Sequence, residues 1–194
     1  IAANLLAAGH PVVGCDVARK RVRELEALGG EGAASAEEAA ARSDVLMLSV
    51  PGDADVERAL LGPGGALPGL SQGQVVADFS TVLPATSRRM AEALSEAGAF
   101  YLDAPISGNR RITRERGGTL MAGGEERAFR KIRPILRKIT RRQFYMGASG
   151  RGALTKLVVN TVSELNRTAL AEGLTFGTMG GIDGGLLLEV LASG

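Results

Sequence analysis

The sequence holds one cysteine, one histidine and no tryptophan, and aromatic residues make up only 4% of its 194 positions. Each scarcity excludes something. A lone Cys15 leaves no internal disulfide framework and suits a reducing compartment, so a cytoplasmic setting is expected. His10 sits in a Gly-His-Pro turn with no His, Cys or acid at ligand spacing, so no metal site is expected. No run of 18 or more apolar residues occurs, and no membrane span is read. With so few aromatic rings, the core must be built from Ala, Leu, Val and Ile. The 27 glycines follow no period, which speaks for tight turns and against a collagen-like repeat.

What is present is an apolar content of 45%, enough to bury one sizeable core and begin a second domain. The net charge of +2 hides a basic block: twelve Arg or Lys against three acids between Arg110 and Arg142. Such a block can be a nucleic-acid footprint. Phe129, Ile132, Leu136 and Ile139, however, run through it at helical spacing, which favours a solvated helix face. No aromatic platform is interleaved with the charge, as single-strand binders prefer, so nucleic acid is not the expected partner.

Short apolar runs alternate with longer helical patterns. Ile1–Ala8 reads as a helix ended by Gly9, and Val12–Cys15 as a buried strand closed by Asp16, with Cys15 as a small core residue. Arg19–Leu28 is helical, Asp44–Val50 a strand, Asp53–Leu61 a helix and Val75–Phe79 a strand. Pro84–Ala97 is a helix with Pro84 near its start, and Phe100–Asp103 and Leu120–Ala122 are strands. Glu125–Ile139 is helical, with a kink expected at Pro134, and Phe144–Met146 is a last short strand. This alternation means βαβ units, a largely parallel sheet and the α/β class. Beyond Gly150 the texture becomes helical throughout, from Gly152 to Met179 and again over Leu186–Leu191. The expected division is residues 1–150 as a nucleotide-binding α/β domain and 151–194 as a long helix opening an all-helical domain.

In open α/β sheets ligands bind outside the carboxyl ends of the strands, so the residues that follow each strand are candidates. An acid at Asp16 can accept hydrogen bonds from an adenosine ribose and repel a 2′-phosphate; equally it can close an ordinary turn. Ser80 and Thr81 offer hydroxyls to a nicotinamide or ribose, or cap a helix. Ser107 beside the pliant backbone of Gly108 suits an anion such as a carboxylate. Lys156 and Asn160 lie four apart, hence on one helix face, with Ser163 and Arg167 continuing it. A lysine approached by an amide and shielded from water has a lowered pKa and can move a proton at a reacting oxygen.

Together these segments closely resemble the β-hydroxyacid dehydrogenase family. The resemblance rests on Asn4-Leu5-Leu6-Ala7-Ala8-Gly9-His10, on Asp78-Phe79-Ser80-Thr81 with Pro84, and on Asp103-Ala104-Pro105-Ile106-Ser107-Gly108. It continues through Gly118-Thr119-Leu120, Gly123-Gly124 and Gly150-Arg151-Gly152 to Lys156 and Asn160. It implies a Rossmann-type sheet, a long helix into an all-helical domain that makes a homo-oligomer, and NAD as cofactor with NADP as the alternative. It implies Lys156 as catalytic acid/base with Asn160 holding a small hydroxy-acid substrate. Ser107, Gly108 and Asn109 would bind that substrate, and Asp16, Val50, Pro51, Asp55, Ser80 and Thr81 the cofactor. Ile1 is not a natural start, so a first strand and its Gly-x-Gly-x-x-Gly turn are expected ahead of it. About 90 to 110 residues of helical domain are expected to follow. Asn109 stands where many members have a second Gly, and the Arg-rich stretch Arg110–Arg116 is longer than usual, which points to a bulkier or more acidic substrate. Imine reductases, and non-catalytic relatives that bind dinucleotide or nucleic acid, resemble the same family but lack the lysine; Lys156 opposes both.

Overall fold

The computed structural model describes residues 1–193, the side chain of Arg110 excepted, so that arginine's part in the basic stretch and the expected domain end at Gly194 lie outside the described residues. The chain falls into two units, Ile1–Lys156 and Leu157–Gly194.

The first unit begins with α1 (Ala2–Ala7), β1 (Val13–Gly14), α2 (Arg19–Glu26), β2 (Glu31–Gly32), α3 (Ala36–Ala41), β3 (Val45–Leu48) and α4 (Asp53–Leu61). It continues with β4 (Val75–Asp78), α5 (Pro84–Glu96), β5 (Phe100–Asp103), β6 (Ile106–Ser107), α6 (Arg110–Arg114), β7 (Thr119–Gly124), α7 (Glu126–Ile139) and β8 (Arg142–Gly147). Strands β3, β4 and β5 are parallel neighbours. Then the direction reverses: β7 runs antiparallel to β5 and to β6, which follow one another along its edge, and β8 lies parallel to β7 on the other side.

The sheet separates two cores by the alternation of strand side chains. Val75, Ala77, Phe79 and Leu102 face Leu5 of α1 and the Phe129–Ile139 stripe of α7. Val76 and Tyr101 face Val56 and Leu60 of α4 and Met90 and Leu94 of α5. Strand β4 is buried along its whole length, which is why it reads as an unbroken apolar run. Helix α7 shows why the basic block is a surface: Ile132, Leu136 and Ile139 are buried while Arg130, Arg133, Arg137 and Lys138 stay in solvent. Pro134 lies within it, and the helix is assigned continuously from Glu126 to Ile139.

Three expectations are corrected. Strand β1 does not belong to the main sheet; it pairs only with β2, because no strand among the described residues bridges β1 and β3. Asp16 therefore follows a parallel strand, as expected, in the two-stranded pairing of β1 with β2. Cys15 lies beyond the two-residue strand and is exposed, not core. Helix α3 and strands β2 and β6 are present where no element was read. The signal for α3 was available: Ser35-Ala36-Glu37-Glu38 has the spacing of a capping box. The Ser35 side chain accepts the Glu38 N–H at 3.1 Å, and Glu38 reaches back to accept the N–H of Ala34 at 2.8 Å.

In the second unit, the helix α8 (Arg151–Met179) that begins in the first unit runs on, and α9 (Gly184–Ser193) follows. The turn between them uses Gly181 at φ +85°, and Asp183 accepts the Leu186 N–H at 2.9 Å to start α9. Leu187 packs on Gly177, where a Cβ would lie 2.3 Å from its Cδ2. Among the described residues no helix is long and apolar enough to cross a membrane.

Candidate active site

The register sets Leu48, Asp78 and Asp103 level with one another at the carboxyl ends of β3, β4 and β5. Three loops therefore leave the sheet along one edge, and buried acids tie them together. Asp78 is 1% exposed; its Oδ1 accepts the Ser80 N–H at 2.8 Å and its Oδ2 accepts the Tyr101 hydroxyl at 2.6 Å. Ser80 in turn accepts the Val50 N–H on its Oγ at 2.9 Å, which joins the loop after β4 to the loop after β3. A second tie runs from Asp53, the first residue of α4, whose Oδ1 accepts the Leu83 N–H at 2.9 Å. The Thr86 hydroxyl, and then the Leu83 N–H, hold the Asp53 carboxyl below its ordinary pKa.

These ties sort the candidate cofactor residues. Ser80 is buried and its Oγ accepts the Val50 N–H, which holds the loop and leaves the hydroxyl proton to donate. Thr81 and Pro51 are exposed beside it and Val50 is half-buried. Gly52, which opens α4, has no atom within 4 Å of the place a Cβ would take, so the approach to that helix start is open. Asp55 lies one residue-pair further along α4, in an exposed ion pair with Arg58 at 3.0 Å. Asp16 is exposed; its Oδ1 accepts the Ala18 N–H at 2.8 Å, which fixes the carboxylate in a turn and leaves Oδ2 free of protein partners in the described residues.

Beyond β5 the chain continues through β6 to Ser107, half-buried, and Gly108, exposed at φ +145°. A side chain at Gly108 would be strained and would meet Ile112 Cγ2 at 3.0 Å. Asn109 spends its carbonyl oxygen on the Ile112 N–H at 2.9 Å and so caps α6.

Asp103 governs the start of α8. It is 1% exposed, and its Oδ1 accepts the Gly150 N–H at 2.9 Å while its Oδ2 accepts the Ala153 N–H at 2.7 Å. Burial pushes its pKa up, against the pull of those two N–H groups. The helix comes this close because glycines face each other: a Cβ on Gly152 would lie 2.3 Å from the Asp103 carbonyl oxygen, and one on Gly123 2.7 Å from the Gly152 nitrogen. Gly150 takes φ +88° in the turn that precedes the helix. Residues three and four further along share a helix face, so Lys156 follows Gly152 and Ala153 on the side turned to the strand ends. It is half-buried, and burial lowers its pKa below the usual lysine value. Asn160 is one turn further along α8, in the second unit.

The sequence reading gave no role to Asp53, Asp78, Tyr101 or Asp103. A signal existed for two of them, since Val-Val-Ala-Asp and Phe-Tyr-Leu-Asp are apolar strands that each end in an acid that is otherwise hard to bury. Two concavities lie elsewhere, one of about 390 Å³ lined by His10, Asp44, Lys131 and Lys138, and one of about 320 Å³ against Phe129, Arg130 and Tyr145.

Comparison with known proteins agrees with the fold. Residues 1–147 match the family described as the NAD binding domain of 6-phosphogluconate dehydrogenase. The chain is 33% identical over 191 residues to a 2-(hydroxymethyl)glutarate dehydrogenase of Eubacterium barkeri, covering 98% of this chain and 64% of that protein. It is 35% identical over 193 residues to a 3-hydroxyisobutyrate dehydrogenase of Pseudomonas aeruginosa, again covering 98% and 64%. The solved 3-hydroxyisobutyrate dehydrogenase of Mycobacterium tuberculosis with L-serine superposes with a TM-score of 0.91 at 28% identity, over 100% of this chain and 65% of that one. The chain thus spans about 64% of the length of these curated relatives.

Proposed function

The chain belongs to the family of NAD-binding domains typified by 6-phosphogluconate dehydrogenase, and from that premise we propose that it is the cofactor-binding part of an NAD(P)-dependent dehydrogenase acting on a small β-hydroxy acid. The observation that carries the reading is Lys156: a half-buried lysine with a lowered pKa, on the helix face that Asp103 holds against the strand ends. The hydroxy-acid names of its relatives support the substrate class.

The residues present fit a dinucleotide. The open start of α4 at Gly52, the exposed Pro51 and Thr81, and the free Oδ2 of Asp16 are the groups that would hold it, with the Ser80–Val50 tie keeping the loops in shape. Nicotinamide, when bound, exchanges a hydride with the carbinol carbon. Lys156 exchanges the matching proton at the carbinol oxygen: neutral, it takes the proton as the alcohol is oxidised; charged, it returns it in reduction. Asn160, one turn on, orients the substrate. The hydroxyl of Ser107 and the backbone at the exposed, positive-φ Gly108 receive the carboxylate.

A homo-oligomer made through the helical domain belongs to the same proposal, as the family resemblance implies. The free, exposed thiol of Cys15 suits the cytoplasm.

The test is Lys156→Ala in the full-length protein. Turnover of small β-hydroxy acids is expected to fall by about two to four orders of magnitude, the usual worth of general acid–base catalysis, while NADH binding followed by fluorescence stays within a factor of about two. Near-normal turnover would remove Lys156 from the chemistry.

A further inference from the structure

We propose that Asp103 is the positioning residue for Lys156: its buried carboxylate fixes the height and rotation of the first turn of α8, and through that turn sets where the lysine ammonium stands. The proposal rests on the reading of Lys156 given above. Asp103 touches neither substrate nor cofactor in it; it acts through the helix.

The geometry that supports this is specific. A helix begins with N–H groups that have no partner within the helix, and they carry the positive end of its dipole. In α8 two of these donors, Gly150 N–H and Ala153 N–H, are taken by the two oxygens of one carboxylate, at 2.9 and 2.7 Å. Two bonds from one planar group to donors three residues apart define both a distance and a rotation about the helix axis; a single bond would define the distance alone. The sheet backbone limits the turn as well. Gly152 has carbonyl oxygens of Asp103 and Met121 at 2.3 and 2.5 Å from the place its Cβ would take, so the helix neither slides nor rolls toward the sheet. Lys156 is three residues beyond Ala153, less than one turn, so little of this definition is lost along the way. Asp103 itself cannot wander, because Leu102 and Ala104 on either side are fully buried and the Ala104 N–H is bonded to the Asp78 carbonyl at 2.7 Å.

The same seat determines how much water reaches the lysine. Burial is the cause of the lowered Lys156 pKa, so a first turn that loosens lets water in and returns the group toward its ordinary value. This separates positioning from ordinary structural support. Loss of stability alone reduces the amount of folded enzyme and leaves the pH profile of what remains unchanged.

The test uses Asp103→Asn in the full-length protein, an isosteric change that replaces one acceptor oxygen by a donor facing a donor. Three readouts are taken: kcat for alcohol oxidation against pH, KM for the hydroxy acid, and NADH binding by fluorescence. The expected result is a kcat lowered by about 10- to 100-fold, with NADH binding unchanged. The acid limb of the kcat profile moves to higher pH, because oxidation needs neutral Lys156 and its pKa has risen. Where Asp103→Asn does not fold, Gly150→Ala replaces it: the Cβ meets the Pro84 carbonyl at 2.9 Å in a φ +88° conformation and shifts the same turn with Asp103 intact. A folded Asp103→Asn (or, failing it, Gly150→Ala) with wild-type kcat and an unmoved acid limb overturns the proposal. Lys156→Ala, run alongside, keeps the two claims apart. If it retains turnover, the reading of Lys156 fails; if it is inactive while the Asp103 variant behaves as wild type, the positioning claim alone fails.

Discussion

Tyr101 donates its phenolic hydroxyl to Asp78 at 2.6 Å inside the core, with both residues at least 98% buried. Desolvation raises the pKa of both groups, so the tyrosine stays a donor and the acid gives up its proton less readily. Tyr101→Phe removes that donor and leaves Oδ2 without it. The expected loss is about 1.5 to 3 kcal/mol, the worth of a hydrogen bond to a charged group. Urea unfolding of the two proteins measures it, and a difference below about 0.5 kcal/mol would show that the pair contributes little.

The same acid makes a pH prediction with a definite sign. Asp78 has a folded-state pKa above its unfolded value, so the native state binds the proton first as pH falls. Stability relative to Asp78→Asn, which cannot titrate, therefore rises as pH drops from neutral toward the ordinary carboxylate range. Below that range both folded and unfolded carboxyls are protonated and the gap becomes flat. Urea titrations of wild type and Asp78→Asn between pH 4 and 8 give the gap directly, and a wild type that gains stability relative to Asp78→Asn as pH rises would contradict the direction.

On α7 the buried and exposed faces predict opposite outcomes from neighbouring residues. Ile132→Ala opens a cavity in the core beneath the sheet and is expected to cost about 2 to 5 kcal/mol. Arg130→Ala breaks an exposed 2.7 Å ion pair with Glu126 four residues earlier and is expected to leave the melting temperature almost unchanged. Thermal melts of both variants decide whether the basic block is a solvated face, as its position on the helix implies.

That face was legible in the sequence through its helical periodicity, as were α4 and α5, and β5 was legible as a short apolar run; the bounds of these three match within a residue. Elements that depend on partners were not. Strand β2 is Glu31–Gly32, with no apolar signature of its own; a Cβ at Gly32 would lie 2.8 Å from side-chain atoms of Val22 and Glu26 of α2, which would have to shift. Strand β6 is two residues that exist only through pairing with Leu120 and Thr119. At the site, the sequence displayed the groups that face solvent, such as Thr81 and Lys156. It concealed the tie from Asp103 to Gly150, because a hydrogen bond across 47 positions leaves no trace in local spacing. The tie from Val50 to Ser80 was concealed in the same way, since it spans 30 positions.

Asp16 makes the last prediction. It follows β1 rather than a strand of the main sheet, yet it keeps the chemistry asked of an acid in that place. The Ala18 N–H at 2.8 Å anchors Oδ1 and so holds the carboxylate in one orientation, and Oδ2 remains for the vicinal hydroxyls of an adenosine ribose. A 2′-phosphate at the same point would bring two anions together at the surface, where water weakens the repulsion without removing it. Arg19, Lys20 and Arg21, all exposed immediately after, act the other way and limit the discrimination. The expected outcome in the full-length protein is a kcat/KM that favours NADH over NADPH, and a preference reduced by about tenfold in Asp16→Ala, equivalent to roughly 1.4 kcal/mol. The variant loses the turn bond together with the charge, so Asp16→Asn is measured beside it: the amide oxygen still accepts from Ala18, and only the charge is gone. Loss of preference in both variants assigns the discrimination to charge; loss in Asp16→Ala alone assigns it to the turn. A wild-type enzyme that prefers NADPH would place the discriminating group elsewhere, with Arg19 to Arg21 as the first residues to replace.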